Sequence, residues 1–123
     1  MSPQTKRAIY WVATIAFALW LLGDGIAGVM RNATGAAIFV QLGLPLYVMT
    51  IVGTAKVLAS FAVIQTRWRT LKEWAFAGYA IDCLGAAACH YFAASPVYEI
   101  LLSFLFLALM FIPYYFWKAG WEN

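Results

Sequence analysis

Charge is scarce in this sequence. Asp, Glu, Lys and Arg together make up 11% of its 123 residues, against roughly 25% in soluble globular domains. So little charge excludes a soluble catalytic domain, and whatever the chain does it does in or at a bilayer. Histidine occurs once and cysteine twice. His90 stands outside any close pattern such as HExxH, so no metal site is assigned. Cys83 and Cys89 lie six apart on one helical stretch, too far and too differently directed to bridge each other. Both are read as small packing residues. The chain also lacks a glycine-rich nucleotide loop, a nucleophile elbow, CxxC and CxxCH, which removes the catalytic classes those motifs announce. No catalytic residue and no cofactor is assigned, and nothing points to an enzyme acting on its own.

What the sequence has instead is apolar length. It is 65% hydrophobic with a mean hydropathy of +0.80, enough for four spans of about 20 residues each and almost nothing else. The expected fold is all-α: a single domain over residues 1–123, with transmembrane helices near 8–30, 45–65, 73–94 and 97–117. A basic start before an apolar run also resembles a secretory signal, but Asp24 and the lack of a cleavage site favour a retained first helix. Residues 31–44 read as a short interfacial helix, capped by Thr34 and ended by Gly43. Pro45 and Pro96 open the helices that follow.

Charge bias sets the orientation. Lys6, Arg7, Arg67, Arg69, Lys72 and Lys118 fall on the side shared by the two termini and the second loop, and only Arg31 falls opposite. By the positive-inside rule both termini are cytoplasmic. The net charge of +3 then reflects topology, and no nucleic-acid partner is expected. Trp11, Trp68, Trp74, Trp117 and Trp121 form a belt at the same interface.

Residues 73–94 carry the organising anomaly. Gly78, Gly85 and many alanines make the run small enough for close helix packing, so it is read as the inner helix of the bundle. Yet it holds Asp82 and His90, and a carboxylate near a bilayer centre costs roughly 2.5–3.5 kcal/mol even on the mildest scale. Counting residues from helix ends sorts the charges into two layers. Lys56 and Asp82 come out near mid-membrane and are expected to pair, because each alone would be costly there. Asp24, His90 and Glu99 come out toward the non-cytoplasmic surface and are expected to line a pocket open to that side. These five are the candidate functional residues. A structural role for Lys56 and Asp82, locking two helices together, is the competing reading.

The sequence Leu42-Gly43-Leu44-Pro45-Leu46-Tyr47, Gly53 with Lys56, Leu71-Lys72-Glu73-Trp74-Ala75 with Gly78, and Asp82 with Gly85-Ala86 and His90 resemble the DoxX-like small bacterial membrane proteins. The resemblance spans roughly residues 8–117 and implies a four-helix membrane bundle with Lys56, Asp82 and His90 as shared polar positions. The family takes its name from a subunit of a thiosulfate:quinone oxidoreductase. The leading functional expectation is a polar intramembrane pocket for a small or amphiphilic ligand, with quinone one candidate, accessory to membrane redox or envelope processes. Two rivals stand beside it: a factor that recruits or assembles another membrane protein, and a small transporter working as a homo-oligomer.

Overall fold

The protein begins its first helix at a cap, not at its first apolar residue. In the computed structural model, which describes residues 2–122, Ser2 accepts a hydrogen bond from the Thr5 amide, and Pro3 occupies the first turn. Helix α1 therefore covers Pro3–Val29, five residues more at its start than the apolar run alone suggests, because Ser-Pro is itself a start signal. It is followed by α2 Ala33–Gln41, α3 Leu46–Ile64, α4 Arg69–Phe92 and α5 Val97–Lys118. Met1 and Asn123, the end residues of the expected domain, lie outside the described residues.

The short helix between the first two long ones is α2, and its cap differs from expectation. Asn32, not Thr34, accepts from the Gly35 amide. An asparagine placed one residue before the first turn reaches that amide, whereas Thr34 already lies inside the helix.

Four helices close in one way. After each, the residue beyond the cap turns left-handed and the next amide bonds back to the third-last helical carbonyl: Asn32 to Ala27, Leu44 to Phe39, Ser95 to His90, and Trp121 to Phe116. The turning residue is Gly43 or Gly120 in two cases, where the conformation is cheap, but Arg31 and Ala94 in the others, where a Cβ makes it costly. Arg31 is held there by its Nε–H bond to Thr50 Oγ1 at 3.1 Å. Helix α4 thus ends at Phe92, before Ser95 and Pro96 are reached.

The long helices pack in a ring, α1 beside α3, α3 beside α4, α4 beside α5 and α5 beside α1, with α2 lying on α3. Phe17 stacks on Phe76, which in turn stacks on Trp117. These rings, with Tyr10, Leu21, Val63, Tyr79 and Met110, fill the centre. Large apolar side chains such as Val12, Leu19, Leu58, Trp74, Ile81 and Leu101 point outward, the reverse of a soluble protein's surface and the arrangement lipid permits. Helices α1, α3 and α5 are long and apolar enough to cross a membrane. Helix α4 is also long, with 24 residues, but Arg69, Lys72, Glu73, Asp82 and His90 make it more polar than the others.

The closest helix contact is not where the small residues of 73–94 place it. A Cβ added to Gly25 would lie 2.7 Å from the Gly53 carbonyl oxygen, and one on Gly53 would lie 2.6 Å from that of Gly25. Backbone touches backbone there, between α1 and α3. Around Gly78 and Gly85 nothing lies within 4 Å, because the buried stripe of α4 is Lys72, Phe76, Tyr79, Cys83, Ala87 and His90 and both glycines face away from it. Helix α4 is therefore a wall of the bundle and not its interior helix.

Candidate functional site

The glycine contact decides which charges meet. Gly28 packs against Met49 and Gly53, and Gly25 against Gly53 and Val57, so the last turns of α1 lie one to three turns inside α3 and not level with its start. Residue counts taken from helix ends assume a common plane and place Asp24 too near the surface.

Asp24 accordingly lies at the level of Lys56 and Asp82. Lys56 Nζ donates to Asp24 Oδ2 at 2.5 Å and lies 3.4 Å from Asp82 Oδ2. The lysine side chain is 20% exposed, and those of Asp24 and Asp82 are 39% and 33% exposed. One ammonium between two carboxylates leaves a surplus negative charge, in a cluster that is only partly enclosed.

Two cavities share Lys56 in their linings. A groove of about 490 Å³ runs between α3 and α4, lined by Ile51, Ala55, Leu58, Ala59, Leu71, Trp74, Gly78, Tyr79 and Ile81, with Lys56 and Asp82 as its charged residues. From Leu71 to Asp82 is eleven residues of α4, or about 16 Å at the helical rise. A second cavity of about 270 Å³ lies under α2, lined by Asp24, Asn32, Thr34, Gly35, Phe39, Met49, Gly53 and Lys56. Lys56 lines both. Asp82 faces the first and Asp24 the second, so each compartment presents one carboxylate to the same ammonium. Such an arrangement can donate a hydrogen bond to a polar head in the apolar groove while staying in contact with the compartment behind it.

His90 and Glu99 form a separate cluster. His90 Nδ1 lies 3.0 Å from Glu99 Oε2 and 3.1 Å from Ser95 Oγ, and the Gln41 amide donates to Ser95 Oγ at 3.0 Å and to Glu99 Oε2 at 3.1 Å. These bonds tie α2 to the turn between α4 and α5. Neither residue lines the cavity that holds Asp24. The expected pocket of Asp24, His90 and Glu99 is therefore two places: Asp24 sits with Lys56 under α2, and the other two clamp the helix ends. Among the described residues no group of three or more His, Cys, Asp or Glu side chains is arranged to hold a metal.

Another lysine goes beyond its topological reading. Lys72 is 1% exposed. Its ammonium donates to the Tyr10 hydroxyl, lies 5.2 Å from the centre of the Trp117 ring, and has Glu122 at 4.0 Å. The signal was present: Lys72 precedes Phe76 by four residues and Tyr79 by seven, on the buried stripe of the same helix.

A family model described as the DoxX-like family matches residues 12–112. No match was found among curated proteins or among solved structures.

Proposed function

The chain belongs to the DoxX-like family, and we propose that this membrane protein binds an amphiphilic ligand in the groove between α3 and α4, with its polar head against Lys56 and Asp82. The observation that carries the reading is that Lys56 lines both the α3–α4 groove and the cavity under α2. A charge pair serving only to lock helices has no need of two approaches. The groove's volume lies in the range of small-molecule sites, and a few convergent polar groups in an apolar lining are their usual composition. An uncharged ring with carbonyl acceptors, as in a quinone, matches an ammonium donor at the end of an apolar slot. The role is accessory to membrane redox or envelope processes. Under this reading α4 is the fourth span, with Asp82 its contribution to the site, and both termini face the cytoplasm of a bacterial inner membrane on the bias of six basic residues against one.

The reading is tested with the purified protein in lipid nanodiscs titrated with a short-tailed quinone analogue. Saturable binding, weakened about tenfold or more by Lys56→Met, the loss expected of a hydrogen bond to a charged donor, is the expected result. No saturable binding, or equal binding by Lys56→Met, overturns it.

One observation favours a second reading, an assembly partner. Gly78 and Gly85 leave open space on the outward face of α4, where another helix could approach closely. Gly85→Leu separates the two: it should remove a partner that copurifies through this face. Gly85 does not line the groove, so Gly85→Leu should leave quinone binding unchanged.

A further inference from the structure

The end of the bundle that carries both termini gathers positive charge and unused donors in one corner. Arg69 Cζ, Lys72 Nζ and Lys118 Nζ lie 5.1, 5.2 and 5.2 Å from the centre of a single ring, that of Trp117. Lys6 sits over the neighbouring Trp121, whose ring stacks on Phe116. Among the described residues two carboxylates answer these four cations. Glu73 bonds Lys118 at 3.2 Å and also accepts from the Tyr114 hydroxyl, and Glu122 reaches Lys72. Arg69 has no carboxylate within ion-pair distance among the described residues, so its planar fork of donors is left over.

Three further features of this corner lack the same kind of partner. Helix α4 starts here, its cap position Trp68 offers no side-chain acceptor, and its first turn holds no acidic residue. Arg69 and Lys72 instead put positive charge at the positive end of the helix dipole, an arrangement that a bound anion relieves. The indole N–H of Trp117, a residue only 2% exposed, has no acceptor. Surplus cations and an uncapped helix start both call for a negatively charged acceptor.

We propose that this corner, between the start of α4 and the end of α5, binds the phosphate of an anionic phospholipid headgroup. Arg69 supplies a two-pronged grip, Lys118 a second charge, and buried Lys72 the positive floor. The lipid source fits the position. Trp68, at the cap of α4, is 57% exposed, as aromatic side chains at headgroup depth are, and basic pockets between membrane helices are built for such headgroups. The site is independent of the α3–α4 groove, which none of these cations lines.

The test counts lipids retained by the full chain in native mass spectrometry after exposure to equal amounts of phosphatidylglycerol and phosphatidylcholine. Wild type should keep phosphatidylglycerol preferentially. Arg69→Gln should weaken that preference about fivefold, as expected for one basic residue at a membrane surface, and Lys118→Gln should act in the same direction. Arg67→Gln, a neighbouring cation that sits over Trp68 and not over Trp117, should change nothing. Inorganic phosphate in excess should leave the lipid in place. Equal retention of the two lipids overturns the proposal, as does an equal loss in Arg67→Gln, which would mean general surface charge. Displacement by inorganic phosphate overturns the lipid source. If Arg69→Gln fails to fold, half-exposed Lys118 carries the test, and an unchanged preference in Lys118→Gln then overturns the proposal.

Discussion

Lys56 and Lys72 each stand on a long helix of the same small bundle, and their amines are met by opposite kinds of partner. Lys56 is answered by carboxylates, Asp24 at 2.5 Å and Asp82 at 3.4 Å, and lines two cavities. Lys72 is answered mainly by aromatic faces and a phenol, with one distant carboxylate, and lines none of the three cavities found. The comparison shows that burial and access separate. The more buried lysine is the one with every approach filled by its own protein, and the reachable one is where a ligand can act. Lys72 joins α1, α4 and the C-terminal segment, which makes it a keystone of packing, whereas Lys56 joins compartments.

Like-for-like substitutions sharpen this contrast. Lys72→Met keeps the apolar stem but removes the ammonium, stranding the buried Tyr10 hydroxyl and forfeiting two cation–π contacts, and should cost about 2–3 kcal/mol. Lys56→Met should cost only about 1 kcal/mol, because the carboxylates it leaves behind are a third or more exposed, Asp24 on the cavity under α2 and Asp82 on the α3–α4 groove. Thermal unfolding in detergent checks the order, and a larger loss in Lys56→Met would break the comparison.

The second effect concerns how Lys56 acquires its nearer partner. Gly53→Ala puts a methyl where the Gly25 carbonyl oxygen would be 2.6 Å away, so α1 and α3 must part, at about 1–3 kcal/mol. Gly78→Ala meets open space and should be within about 0.5 kcal/mol of wild type. Equal losses at the two glycines would show that the α1–α3 contact does not govern the packing.

A double-mutant cycle ranks the two carboxylates. Coupling of Lys56→Met with Asp24→Leu should reach about 1–2 kcal/mol and exceed that of Lys56→Met with Asp82→Leu, in line with the distances. The reverse order would return Asp82 to the role of principal partner that residue counting gives it.

Ala94→Gly gives the smallest effect. The left-handed residue ending α4 has a φ of 55°, where a Cβ is a burden, so removing it should raise stability by about 0.5–1 kcal/mol. A loss of stability would deny that turn its geometry.

How much of this was legible in the sequence differs by level. The helices were, because long apolar runs punctuated by Pro45, Pro96 and basic loops leave few alternatives, and the short α2 followed from Gly43 closing it. Lys56 and Asp82 were legible as neighbours by depth. Asp24 was not, since its level depends on how far α1 stops inside α3, which Gly25, Gly28 and Gly53 set through a backbone contact that no residue count contains. Lys72 was hidden by its company: a lysine among Arg67 and Arg69 reads as a topology charge until its place on the Phe76 and Tyr79 stripe is seen. The left-handed turns at Arg31 and Ala94 carry no glycine to announce them. His90 and Glu99 were found as polar positions, but their partner Gln41 comes from α2, and only the folding of that helix over the α4–α5 turn brings it there.

The most direct test of the central claim is an experimental structure of the protein carrying the amphiphile that copurifies with it. The polar head should lie within hydrogen-bond reach of Lys56 Nζ, with the hydrocarbon body along Ile81 and Trp74 between α3 and α4. An amphiphile seated elsewhere, for instance in the apolar groove between α1 and α5 beside Trp20 and Phe106, with the α3–α4 groove filled by protein, would contradict it.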